Sequence, residues 1–180
     1  MRVITGEARG RRLRPVPGED TRPTSARVKE SIFNIIQFDI EGRRVLDLFA
    51  GTGQLGIEAI SRGAKVAVFL DNNPEALAVI RDNLGRTGLL GRAEVVPGDA
   101  RAYLRRRPDP FDIIFMDPPY HDTLLAETLT LVASAGLLRE GGLVVCECAA
   151  GTALSPPTPS WQGRMYRYGT QTVFLFRRDP

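Results

Sequence analysis

The sequence predicts an α/β fold: a mostly parallel, seven-stranded sheet with helices on both faces, ending in an antiparallel hairpin. Three observations carry this. Apolar runs of strand length alternate with helix-period stretches over residues 45–148. A glycine-rich turn links the first of those runs to the helix after it. Two further runs near the C-terminus flank Gly169-Thr170 with no helix between them, as in a hairpin.

Residues 2–18 contain Gly6, Gly10, Pro15 and Pro17, which break any helix, and their apolar residues are too sparse for a core strand. A small arm or hairpin is expected. Next, Val28, Ile32, Ile35 and Ile36 fall on one helical face, and Thr24 or Ser25 can cap that helix. The first strand starts at Val45, and the helix after its turn stops at Gly63. Val66 to Leu70 is the second strand. Asn73 and Pro74 then supply an N-cap and a first helical residue, and Leu77, Ile80 and Leu84 the core stripe. Ala93 to Val96 is the third strand, and Ala100 to Arg107 a short helix. Phe111 to Met116 is a fourth strand whose nearly continuous apolar run predicts burial on both faces. Thr123 to Ala135 reads as helix and Leu143 to Cys148 as a fifth strand. Residues 151–160 are loop, and Met165 to Tyr168 and Thr172 to Phe176 form the closing hairpin.

At 180 residues one domain is expected over residues 1–180, with a basic arm or hairpin at residues 1–20 and a Rossmann-like catalytic core at residues 21–180. Apolar content of 43% and charged content of 25% exclude a disordered chain. No apolar leader opens the sequence and no run approaches ~18 apolar residues, so a cytoplasmic protein without a membrane partner is expected. Cys146 and Cys148 are assigned to opposite faces of a strand, hence to no mutual disulfide, and His121 is the single histidine. No metal site and a monomer are expected. Net charge is only +3, but residues 1–27 hold seven arginines against Glu7, Glu19 and Asp20. Such a concentration suggests a polyanion partner, the alternative being a solvated basic surface.

The turn lies in VLDLFAGTGQLG, residues 45–56, where Gly51, Gly53 and Gly56 fit G-x-G-x-x-G. A strand, glycine turn and helix of this kind open a Rossmann-like unit, whose ligand sits at the carboxyl ends of the strands. Asp71 stands where a ribose-binding acid belongs. That is compatible with a dinucleotide, and the glycines alone fit a simple tight turn. Asp47, just before the turn, makes D-L-F-A-G-T-G resemble the first motif of class I S-adenosylmethionine-dependent methyltransferases.

Asp117-Pro118-Pro119-Tyr120 follows the fourth strand. Two prolines there forbid helix and ladder, which alone would make a plain loop. D-P-P-Y at this place also resembles the amine-methylating motif of adenine and guanine methyltransferases. An exocyclic base amine is a poor nucleophile because its lone pair is delocalised into the ring. The Asp117 carboxylate and Pro118 carbonyl can accept its two N–H bonds and aim the lone pair, a proximity effect. Tyr120 can stack on the base, typically about 1–3 kcal/mol, which requires a flipped or splayed nucleotide. No early proton removal is needed, so no histidine base is required.

The chain from Arg2 to about Phe176 is similar to the RsmD-type small-subunit (16S) ribosomal RNA guanine-N2 methyltransferases. The resemblance rests on G-E-A-R-G-R-R-L in the arm, Arg22-Pro23-Thr24, Arg27-Val28-Lys29-Glu30, Phe33-Asn34, the two motifs, and Tyr168-Gly169. It implies S-adenosyl-L-methionine as cofactor, held by Asp47, Phe49, Ala50, Gly51, Thr52, Gly53, Gly56, Asp71, Asn72, Asp99 and Ala100. Asp71 would take the ribose hydroxyls and Asp99 the adenine amine. Asp117, Pro118, Pro119 and Tyr120 would be catalytic, and Arg9, Arg11, Arg12, Arg14, Arg22, Thr24 and Arg27 would meet the RNA of the small ribosomal subunit. Alternatives are an adenine-N6 DNA or RNA methyltransferase and a non-catalytic ribosome assembly factor of the same fold. The absence of a separate RNA-binding module favours an assembled or partly assembled particle as substrate.

Overall fold

The structure, a computed structural model, describes residues 1–18, 25–119 and 122–180. In chain order its elements are α1 (Ala26–Ile35), β1 (Arg44–Asp47), α2 (Gln54–Ser61), β2 (Val66–Asp71), α3 (Pro74–Thr87), a 3-10 turn (Leu90–Arg92), β3 (Ala93–Pro97), α4 (Ala100–Arg105), β4 (Phe111–Met116), α5 (Asp122–Ser134), β5 (Leu138–Ala149), β6 (Trp161–Tyr168) and β7 (Gln171–Arg178). They build one seven-stranded sheet of order β3-β2-β1-β4-β5-β7-β6. The first five strands in that order pair in parallel, and β7 pairs antiparallel with both β5 and β6. Strand order reverses at β1/β4, so the crevice of this sheet opens at the carboxyl ends of those two strands.

All six residues of β4 are buried, as its apolar run predicts. Alternation sends Ile113 and Phe115 to one face, with α1, α2 and α3, and Ile114 and Met116 to the other, with α4 and α5. Helix α1 buries Val28, Lys29, Ile32 and Phe33, with Ile36 just beyond its end, and Phe33 lies tilted against Phe115 at 5.6 Å. Ile35 does not join the stripe and is 36% exposed. At roughly 100° per residue the buried arc centres near Ile36 and Lys29, which leaves Ile35 at its edge. Ser25 caps α1 by accepting from the Val28 N–H at 3.2 Å; Thr24 lies outside the described residues. Asn73 and Pro74 open α3 as expected.

Several boundaries move. β5 starts at Leu138, which pairs with Phe111 before the register shifts ahead of Ile113. Gly141 and Gly142 lie within that irregularity, ahead of the Leu143 where the sequence places the strand's start. β6 begins at Trp161, well before Met165, and α4 ends at Arg105, short of Arg107. Cys146 and Cys148 pack toward the same core rather than toward opposite faces, because side chains two apart in a strand share a side. The Cys148 thiol donates to the Thr172 carbonyl at 3.5 Å.

The N-terminal segment is the small hairpin expected, but it is packed on the core more closely than its sparse apolar residues suggest. It closes on itself through an Arg2–Arg12 bridge and through Val3 N–H to the Arg11 carbonyl at 2.9 Å. Sparse as they are, Val3, Ala8, Leu13 and Val16 are all buried. Glu58 of α2, fully buried, accepts from the Ile4 and Thr5 N–H groups at 2.8 and 2.9 Å. Ser61 takes the Ala8 N–H on Oγ and the Glu7 N–H on its carbonyl. Gly6 sits so close to the Ser61 backbone that a Cβ there would collide with it. The arm is thus docked on α2, with its arginines outward.

Candidate functional site

Asp47 ends β1, and its ladder partners are Phe69 of β2 and Phe115 of β4. Asp71 and Asp117 each stand two residues beyond those partners, so three strand tips bring three carboxylates to one crevice. Asp47 is buried, with Oδ2 accepting the Gly56 N–H at 2.9 Å. Burial raises its carboxyl to about 7, against the pull of the Gly56 amide, and the charges of Asp117 and Asp71 add to the rise.

The turn between Asp47 and α2 is braced on both sides. The Leu48 N–H donates to the Phe115 carbonyl at 3.0 Å and the Ala50 N–H to the Leu70 carbonyl at 3.0 Å. Gly51 and Gly53 have φ of +53° and +77°, a region costly to residues with a Cβ. A Cβ on Gly51 would point into open space, so the turn leaves room for a ligand there. Gly56 differs: a Cβ there would strike the Phe69 ring, and its amide is taken by Asp47. It serves helix–strand packing, not ligand approach.

Asp71 is pinned at the rim by two backbone donors, Gly51 N–H to Oδ2 and Asn73 N–H to Oδ1, each at 2.8 Å. Each oxygen retains a lone pair, which suits a ligand diol. Asn72 is exposed beside it. Across the rim, Gly98 N–H donates to the Asp71 carbonyl at 2.9 Å, which brings Asp99 alongside. Asp99 is exposed and caps α4 by accepting from the Ala102 N–H at 2.9 Å, and Ala100 is buried behind it. Phe49 is half-buried over the α4/α5 side. These groups fit S-adenosylmethionine: open glycine backbone, a diol acceptor and a cluster of carboxylates for a cation.

Asp117 and Pro118 are half-buried at the β4 tip and Pro119 is exposed. Tyr120, Arg22 and Thr24 lie outside the described residues. Arg9, Arg11, Arg12, Arg14 and Arg27 are all exposed; the first four ride on the docked arm and Arg27 on α1. Arg14 is engaged with Asp82 at 3.4 Å.

Against known proteins, the model of a family described as "Conserved hypothetical protein 95" matches residues 1–177. The chain belongs to this family. It is 34% identical over 181 residues to ribosomal RNA small subunit methyltransferase D of Escherichia coli, covering 99% of this chain and 90% of that one. It is 45% identical to YlbH of Bacillus subtilis over 150 residues, 82% of each chain. The solved structure of yhhF from Escherichia coli superposes with a TM-score of 0.90 at 35% identity, covering 99% of this chain and 98% of that one. The family's fold is the class I methyltransferase fold that the sequence predicts, with its mostly parallel sheet and terminal antiparallel pair.

Three residues of consequence were not singled out as site residues from the sequence. Glu58 was hidden in the apolar stretch of α2, although an acid inside QLGIEAIS was a signal of its own. Lys29 was counted only within the family motif, and it is buried against Glu58. Asn83, fully buried on α3, gave no signal because its partners are backbone atoms distant in sequence.

Proposed function

We propose that this chain methylates the exocyclic N2 amine of a guanine in small-subunit ribosomal RNA, using S-adenosylmethionine. One observation carries this most directly. The Asp117-Pro118-Pro119 turn leaves β4 beside the strand tip that bears Asp47 and the glycine turn, at the point where strand order reverses. A cofactor on the β1 side and a base on the β4 side would therefore meet face to face.

When bound, S-adenosylmethionine supplies an electrophilic sulfonium methyl. The protein's part is to hold the amine. Asp117 accepts one amine N–H and the Pro118 carbonyl the other, fixing the nitrogen with its lone pair toward the methyl. Charge-assisted bonds of this type contribute about 1.5–3 kcal/mol. Pro118 and Pro119 offer no N–H to compete for the carboxylate. Asp71 takes the ribose hydroxyls, Asp99 the adenine amine, and the Gly51 backbone lines the methionine end. Tyr120 stacks on the base. Once methylated the amine is acidic and yields its proton to solvent or to Asp117.

The choice of RNA is supported by the relative named as a small-subunit methyltransferase and by the exposed arginines of the arm. Phosphate contacts there would orient the substrate without reading its sequence. An assembled or partly assembled particle is the substrate this reading favours, and naked RNA is the alternative to be tested.

Labelled S-adenosylmethionine offered with small subunits, naked 16S RNA and DNA tests the proposal. Label in guanine of the small subunit is expected. Label in adenine would replace it with an N6 methyltransferase, and tight subunit binding without label with an assembly factor.

A further inference from the structure

The arm and the glycine turn touch through one buried side chain. Asn83 Oδ1 accepts the Arg14 N–H at 2.7 Å, and its Nδ2 donates both to the Arg14 carbonyl at 3.1 Å and to the Thr52 carbonyl at 3.0 Å. The amide thus pairs with Arg14 as a neighbouring strand would, and the same nitrogen grips the middle residue of the turn. Thr52 is flanked by Gly51 and Gly53, both in left-handed conformations, so the direction of its carbonyl is tied to the shape of the turn. A second contact runs the same way, from Thr52 Oγ1 to the Met1 sulfur at 3.4 Å. The arm also carries Arg9, Arg11 and Arg12, exposed and without an ion pair to any described residue.

We propose that Asn83 is a positioning residue that couples the arm to the glycine turn, so that polyanion on the arm and cofactor in the turn bind cooperatively. The identities of the two ligands rest on the function proposed above. Ordering either end fixes Arg14, Asn83 and Thr52 together, and the second ligand then meets a segment already ordered. By linkage each ligand must favour the other by the same factor. An enzyme built this way holds its cofactor best when substrate RNA is on the arm, and it loosens the spent cofactor as the RNA leaves.

The test uses the full chain and labelled S-adenosylhomocysteine, which binds without reacting. Its dissociation constant is measured by equilibrium dialysis with and without small ribosomal subunits. The expected ratio for the wild type is about 5-fold or more, the lower end of typical couplings. Asn83→Asp keeps the acceptor for Arg14 and loses both donations, and its ratio should fall to about 1. A purely structural asparagine would lower melting temperature or both affinities and leave the ratio unchanged, and that result overturns the proposal.

A second measurement needs no variant and stands even where substitution unfolds the chain. Amide exchange should show the Arg14 N–H slowed by S-adenosylhomocysteine alone, and the Gly53 N–H slowed by subunits alone. No protection across the joint overturns the coupling. A wild type that binds both ligands with a ratio of 1 removes the joint and leaves the function standing. A wild type that binds neither removes the function, and the joint with it.

Discussion

Lys29 Nζ lies 3.4 Å from Glu58 Oε2, with both side chains buried, and the same ammonium donates to the Arg2 carbonyl at 2.8 Å. Arg62 closes the group, its Nε 2.9 Å from Glu58 Oε1 and its guanidinium 4.8 Å over the Phe33 ring. Burial pushes the Lys29 ammonium below its ordinary value, against the attraction of Glu58. One carboxylate therefore ties α1, α2 and the arm together.

Removing that carboxylate leaves a buried cation and two arm N–H groups without their acceptor. Glu58→Ala should cost about 3–5 kcal/mol of stability. It should also release the arm, so that limited proteolysis cuts within residues 1–18 before the sheet unfolds. Denaturant melts and a digestion time course check both. An arm as resistant as the wild type's would mean that the Ser61 and Asn83 hydrogen bonds and the burial of Val3, Ala8 and Leu13 hold it without Glu58.

The glycines of the turn should separate by function. Gly51→Val meets open space but an unfavourable φ of +53°. It should cost about 1–3 kcal/mol in backbone strain and abolish cofactor binding in a protein that still folds. Gly56→Val would drive its side chain into Phe69, and it should fail at folding. Calorimetry and thermal melts on both variants distinguish the two. Wild-type cofactor affinity in Gly51→Val would remove the ligand from this turn.

Asp47 gives a pH dependence. Its carboxyl rises from 3.8 to about 7 in the fold. The folded state therefore holds a proton that the unfolded chain releases, and stability must fall as pH rises from 3.8 to about 7. Asp47→Asn keeps an acceptor for the Gly56 N–H and has no charge to bury. Its melting temperature should fall less than that of the wild type between pH 5 and pH 8. Parallel melting curves for the two proteins would show that Asp47 is not the titrating group.

On the arm, Arg9, Arg11 and Arg12 are the arginines to replace, since Arg14 is already engaged with Asp82. Their triple glutamine variant should bind small subunits more weakly, with a shallower salt dependence. The slope should drop by up to ~0.7–0.9 per lost phosphate contact. Titrations at several salt concentrations give it directly. An unchanged slope would make the arm a solvated surface.

What the sequence disclosed follows from what is local in it. The Asp47 turn, the Asn73-Pro74 helix start and the nearly continuous apolar run of β4 are each written in consecutive residues, and all three stand in the structure. The docking of the arm was not legible, because Glu58 and Ser61 reach it across more than fifty positions. The roles of Gly51 and Gly56 were alike as letters and differ through the positive φ of Gly51 and through Asp47 and Phe69, which meet Gly56. The early start of β5 was masked by Gly141 and Gly142, which permit both a turn and a strand irregularity.

The most direct measurement is nucleoside mass spectrometry of small-subunit RNA after incubation with S-adenosylmethionine and either the wild-type chain or Asp117→Ala. The wild type should leave N2-methylguanosine. The variant should form it about 10²–10³-fold more slowly, with cofactor affinity little changed. Methyl on any other base, or near-normal turnover by Asp117→Ala, would contradict an amine held at the tip of β4.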